Sequence, residues 1–155
     1  GLIQALGGMP ILHLISLVLS SALLLQGDIP ARDVSIGGVA VGDSPSQVVK
    51  KLGEPSSRLE TSDFLNLHYK YPSLTVSFSG GVVAGLFANS PDACTPKQLC
   101  PGDSLDKMRT LYGEPLVTDR ENGRFYEYYG RDLYCWLKIP ANGSKVTSIT
   151  VACQP

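Results

Sequence analysis

The chain has little charge and almost no histidine. Asp, Glu, Lys and Arg make up 17% of it, against about 25% in an average soluble domain. Its net charge is −1. No basic excess exists to hold a phosphate backbone, which argues against nucleic-acid binding, and no charged tail offers an electrostatic docking site. The two histidines are His13 and His68. No G-x-S-x-G, H-E-x-x-H or P-loop pattern occurs. The four cysteines, Cys94, Cys100, Cys135 and Cys153, include no C-x₂-C pair and have no histidine among them, so a zinc site is disfavoured. No catalytic, cofactor-binding or metal-binding residue is assigned, and the chain is expected not to be an enzyme.

What the chain does have begins with an apolar run, Pro10 to Leu25, without a formally charged residue. Its sixteen residues suit a signal-peptide h-region and fall short of the ~20 needed to span a membrane. Extended back over Leu2 to Gly8 it reaches spanning length. Residues 1–31 are therefore read as a signal peptide, cleaved after Gly27 or Ala31, or as an N-terminal membrane anchor. His13 is a tolerated polar residue within that run. No cysteine precedes Cys94, which leaves no residue of this sequence for an N-terminal lipid. An even number of cysteines, all beyond the apolar run, reads as disulfides in an exported chain, periplasmic or secreted.

The strongest pattern is internal. Gly42-Asp43-Ser44 is followed nine residues after Ser44 by Gly53-Glu54-Pro55, and Gly102-Asp103-Ser104 by Gly113-Glu114-Pro115 at the same distance. Each stretch predicts a short helix. Ser44 is an N-cap with Pro45 at the first helical position and Gln47 completing a capping box. Val48, Val49 and Leu52 form an apolar face, Gly53 takes the left-handed stop, and Pro55 prevents continuation. In the second stretch Ser104 or Asp103 caps, and Leu105, Met108, Leu111 and Tyr112 form the face. Alternating segments follow each helix: Leu67 to Tyr71, Leu74 to Phe78 and Val82 to Ala88, then Phe125 to Tyr129, Leu133 to Ile139 and Lys145 to Cys153. Gly80-Gly81 is a hairpin signal, and Asn142-Gly143 a turn rather than a glycosylation site. Ile36 to Val41 adds a short strand or turn in front.

The expected fold is α+β, two tandem repeats at 32–93 and 94–155. Each is a short helix followed by a three- to four-stranded antiparallel meander. Pairing Leu137 with Val151 and Ile139 with Ile149 sets Cys135 opposite Cys153, and a one-residue slip would turn an apolar set to solvent. Cys94 and Cys100 are then left to close the loop CTPKQLC. The other connectivities stay open at this level.

The capped helix G-x-[ST]-x₃-V-x₃-L-G-x-P resembles the BamE (SmpA/OmlA) family. It is matched at Gly42, Ser44, Val48, Leu52, Gly53 and Pro55, and again at Gly102, Ser104, Met108, Gly113 and Pro115. In tandem it is similar to the β-lactamase inhibitor protein architecture. The resemblance implies a bacterial envelope protein that binds other proteins, as an assembly factor or an inhibitor. BamE proteins are usually lipoproteins of the barrel-assembly machinery, and this sequence lacks their lipid-attachment cysteine.

Two further readings concern sites. Gly102-Asp103-Ser104-Leu105 spells the signature of GDSL esterases, with Ser104 as nucleophile. No histidine follows it to serve as base, and the first stretch uses the same Gly-Asp-Ser to start a helix, so Ser104 is read as a cap. Glu54 and Glu114 hold equivalent turn positions. Alternation leaves Phe125, Glu127, Tyr129, Tyr134, Trp136 and Lys138 on the face away from the core. Phe125, Tyr129, Tyr134 and Trp136 are the candidate protein interface, because Tyr and Trp dominate contact hot spots. Internal packing, with this face covered by the other repeat or by the N-terminal segment, is the competing reading. The expected function is a non-catalytic, exported protein-binding module. A membrane-anchored structural envelope protein is the alternative, and an esterase a remote one.

Overall fold

The structure, a computed structural model, describes residues 25–155. The apolar run before Leu25, with His13 and the signal or anchor reading placed on it, lies outside the described residues. In chain order the elements are β1 (Asp28–Ile29), a 3-10 turn (Ala31–Asp33), β2 (Ser35–Ile36), β3 (Val39–Ala40), α1 (Pro45–Leu52), β4 (Ser57–Glu60), β5 (Leu67–Lys70), β6 (Thr75–Ser79) and β7 (Val82–Ala88). Then come α2 (Leu105–Tyr112), β8 (Leu116–Arg120), β9 (Gly123–Gly130), β10 (Cys135–Ile139), β11 (Ala141–Asn142), β12 (Lys145–Val146) and β13 (Ile149–Cys153).

Both helices start and stop on local chemistry. Ser44 Oγ accepts from the Gln47 N–H at 3.2 Å, and Gln47 Oε1 accepts from the Ser44 N–H at 2.8 Å, satisfying two orphan donors reciprocally. Ser104 Oγ accepts from the Lys107 N–H at 3.0 Å. Asp103 is not the cap: its carboxylate accepts from Cys100 N–H and Lys107 Nζ. Gly53 and Gly113, at φ 82° and 77°, end the helices in a conformation only glycine enters cheaply. Val48 on α1, and Leu105, Met108 and Tyr112 on α2, are buried.

The strands correct the expected architecture. They do not build two separate helix-plus-meander repeats. They join in one nine-stranded mixed sheet in the order β1-β9-β10-β13-β7-β6-β5-β4, with β8 also paired to β9. The join is antiparallel, Ile149 to Ala88, Thr150 to Phe87 and Val151 to Leu86. β1 runs parallel to β9, Asp28 beside Tyr129. The physical reason is the edge: β7 and β13 would each expose a row of unpaired N–H and C=O groups, and pairing satisfies both. The expected strand from Lys145 to Cys153 also divides. β12 turns back onto β11 through Gly143-Ser144, just after the expected Asn142-Gly143, and β13 alone enters the sheet.

One sheet face is the core. Tyr69, Val76, Leu86, Val151, Leu137 and Tyr128 lie in register across six strands, and all are buried with Met108 and Val48. Each contributes roughly 1.5–3 kcal/mol of burial. Cys135 pairs with Cys153 and Leu137 with Val151, and the disulfides are Cys135–Cys153 and Cys94–Cys100. Such bonds persist in oxidising compartments, so this is an exported chain. Among the described residues no helix is long and apolar enough to cross a membrane.

Candidate protein-binding face

The other face of the sheet carries every second residue of the same strands. One row crosses it without a break: Ser57, Lys70, Thr75, Phe87, Thr150, Lys138, Glu127 and Leu116. Beside it stand Leu59, His68 and Ser77 at one end and Ala152, Trp136 and Tyr129 at the other. The loop between β4 and β5 reaches over the middle, where Leu65 lies against Gly85 at a distance that leaves a side chain there little room. Leu59, Phe64, Phe87 and Leu116 are exposed.

The four aromatic candidates occupy different depths. Tyr129 and Trp136, directly paired across β9 and β10, stack with ring centroids 5.5 Å apart and 21° between planes. Both are half-buried. Phe125 is 7% exposed and lies beneath Lys138, whose Nζ stands 4.3 Å from the ring centroid. Tyr134 precedes β10 rather than belonging to it and is 81% exposed. The structure thus pairs Tyr129 with Trp136, sets Phe125 apart from them beneath Lys138, and leaves Tyr134 outside the strand in water. The Trp136 indole N–H is buried with no hydrogen-bond partner among the described residues.

Beneath these rings is a charged network that alternation alone did not single out. Glu127 is 0% exposed. Arg120 donates to it at 2.9, 2.7 and 3.1 Å, and the Tyr129 hydroxyl donates to its Oε2 at 2.8 Å. The paired network removes the cost of burying the carboxylate alone. Burial pushes the Tyr129 hydroxyl up, and its bond to the Glu127 carboxylate pushes it further. The sequence signal for Glu127 was its place between Phe125 and Tyr129. Arg120 had none, because its partner lies across a hairpin.

The remaining candidates are held in local contacts. Ser104 Oγ is engaged as the α2 cap. His68 Nδ1 lies 2.7 Å from Ser77 Oγ on the adjacent strand. Glu54 pairs with Arg58 and Glu114 with Arg109. Among the described residues no cluster of His, Cys, Asp or Glu could hold a metal ion. A depression of 330 Å³ between β1 and α2 is lined by Ile29, Lys97, Leu111 and Tyr112 among others.

No protein-family model matches the chain, and neither does any curated protein sequence. Solved structures that share its fold include the following. An extracellular protein containing an SCP domain from Bacillus anthracis matches with a TM-score of 0.54 and 10% identity, over 74% of this chain and 44% of that one. A DUF4309 family protein from Bacillus subtilis matches with a TM-score of 0.54 and 12% identity, over 83% and 88%. A cysteine-rich secretory protein from Staphylococcus aureus matches with a TM-score of 0.50 and 13% identity, over 74% and 44%. The chain thus spans less than half of the Bacillus anthracis and Staphylococcus aureus proteins. At these identities the likeness is one of fold. It corrects the BamE resemblance drawn on Gly42, Ser44, Val48, Leu52, Gly53 and Pro55 and their second set, and with it the barrel-assembly role and the tandem-inhibitor architecture. That motif describes a helix with a good cap and a glycine stop. Any eight-residue helix gains from those, so they do not specify the sheet behind it.

Proposed function

We propose that the chain is an exported, non-catalytic domain that binds another extracellular or envelope protein through the outer face of its sheet. The observation that carries the reading is the stacked Tyr129–Trp136 pair beside the exposed Tyr134, on a face that also leaves Phe87 and Leu116 open to water. Large rigid aromatic rings supply contact area at low entropic cost. The opposite face is occupied by the core, and on this one Phe87, Leu116 and Tyr134 are exposed among the described residues.

The test is affinity capture from an extracellular and envelope extract by the chain, beside a Tyr134→Ala/Trp136→Ala variant matched for folding by circular dichroism. A partner held by the parent and lost by the variant is the expected result. Equal capture by both moves the contact elsewhere. No partner, with the chain retained in membranes after a high-salt wash, would overturn the reading in favour of a structural role held by the N-terminal segment.

A further inference from the structure

The outer face also carries a charge pattern that selects among partners. Arg120 and Glu127 neutralise each other. Lys70 on β5 and Lys138 on β10 are the remaining cations of its strands, and no carboxylate bonds either among the described residues. Among the described residues Asp28, at the β1 edge beside Tyr129, is a strand carboxylate of this face that no ion pair engages. Lys138 is held over the Phe125 ring, so its ammonium is already ordered on an apolar floor.

We propose, resting on the protein-binding reading above, that this face receives a protein segment presenting carboxylates beside aromatic or aliphatic side chains, with one carboxylate on Lys138 and another toward Lys70. A carboxylate meeting Lys138 forms a charge-assisted bond above the Phe125 ring. A lysine or arginine arriving there meets like charge and loses its water without compensation. Four strand spacings separate β10 from β5, about 19 Å at ~4.8 Å each. An extended segment crossing the strands covers that distance in about six residues. An anionic membrane is the poorer fit. The net charge is −1, and two free lysines fall short of the roughly four to eight of a polybasic lipid site.

The test uses the whole chain and a phage-displayed random dodecapeptide library. Enriched peptides are expected to combine aromatic residues with two acidic residues about six apart. Their affinity falls about tenfold or more in Lys138→Glu, falls less in Lys138→Met, and is recovered in Lys138→Glu when the matching acidic residue of the peptide becomes lysine. Melting curves of the lysine variants are expected to match the parent. Peptides without acidic enrichment, lost in Tyr134→Ala/Trp136→Ala but indifferent to Lys138→Glu, would overturn the charge inference and leave the protein-binding reading standing. Peptides indifferent to every variant would overturn both. Failure to enrich any peptide, or binding to phosphatidylglycerol vesicles in its place, also refutes the inference.

Discussion

Replacing the two cysteine pairs by alanine, one pair at a time, is expected to give unequal losses. The bonds close loops of different size, with sequence separations of 18 for Cys135–Cys153 and 6 for Cys94–Cys100. Loop-closure entropy alone gives about 3 kcal/mol for the first and about 2 kcal/mol for the second at 25 °C. Packing widens the gap. Cys135 is 4% exposed among Leu137, Val151 and the rest of the core, so its sulfur leaves a void worth about 1 kcal/mol. Cys94 and Cys100 are half-buried and leave little void. The expected totals are about 4 and about 2 kcal/mol. With a urea slope of about 2 kcal/mol/M, midpoints should fall by about 2 M and about 1 M. The slope itself should rise in both variants, because the unfolded chain expands when a crosslink is lost. Urea melts followed by tryptophan fluorescence and circular dichroism measure all three quantities. An equal or larger loss for Cys94→Ala/Cys100→Ala would refute the reasoning. The small loop would then act mainly by holding buried Leu99 and the Thr95 hydroxyl that accepts from Tyr112.

Four other outcomes follow from particular contacts. In Gly130→Ala the new Cβ would stand 2.9 Å from a Val34 methyl and 3.1 Å from a Leu133 methyl; a loss of about 1–3 kcal/mol is expected in thermal melts, and an unchanged melt would show that this corner yields. Ser104→Ala should cost about 1 kcal/mol as a lost cap and change no ester hydrolysis, whereas loss of a hydrolytic activity would restore the nucleophile reading. Burial pushes Asp43 and Asp103 up, but the Lys51 and Lys107 ammonium groups and the Ala40 and Cys100 N–H groups outweigh it and hold both carboxyls below their usual range. A carboxyl lowered by folding stabilises above its unfolded value, about 3.9, and loses that contribution as pH falls through the folded one. Stability should therefore hold from about pH 7 to 5 and fall below about pH 4, and Asp43→Asn/Asp103→Asn should flatten that acid limb in urea melts at pH 3 and 6. A chain starting at residue 32 should be less stable than one starting at residue 25, because it loses buried Ile29 and the bonds from Tyr129 N–H to Gly27 O and from Arg131 N–H to Ile29 O; equal melts would show β1 to be dispensable.

Parts of this structure were legible in the chain because their causes are local. The α1 capping box needs only Ser44 and Gln47, three residues apart, and the Gly53 stop needs only its own backbone. Gly80 and Gly81 take positive φ at the β6–β7 turn, as a tight hairpin demands. The Cys135–Cys153 pairing followed from two alternating apolar sets that share one register. Other parts gave no signal. All four residues of β4 are exposed, so it has no apolar alternation to read. β1 is a two-residue strand by virtue of its neighbour β9. The aromatic candidates were placed on the outer face by alternation, but alternation does not report depth: Phe125 went under Lys138 while Tyr134 stayed in water.

By itself, the sequence determined the helix limits, the tight turns, the faces of the central strands and an oxidising compartment, since each rests on residues close together or on one repeating period. Only the tertiary structure decided that β7 and β13 would close two open edges into a single mixed sheet, that β1 would add a parallel strand, and that Arg120 would cover Glu127. Those outcomes depend on edges and charges far apart in the chain finding one another. Backbone hydrogen bonding between strands carries no record of which sequence neighbour will satisfy it.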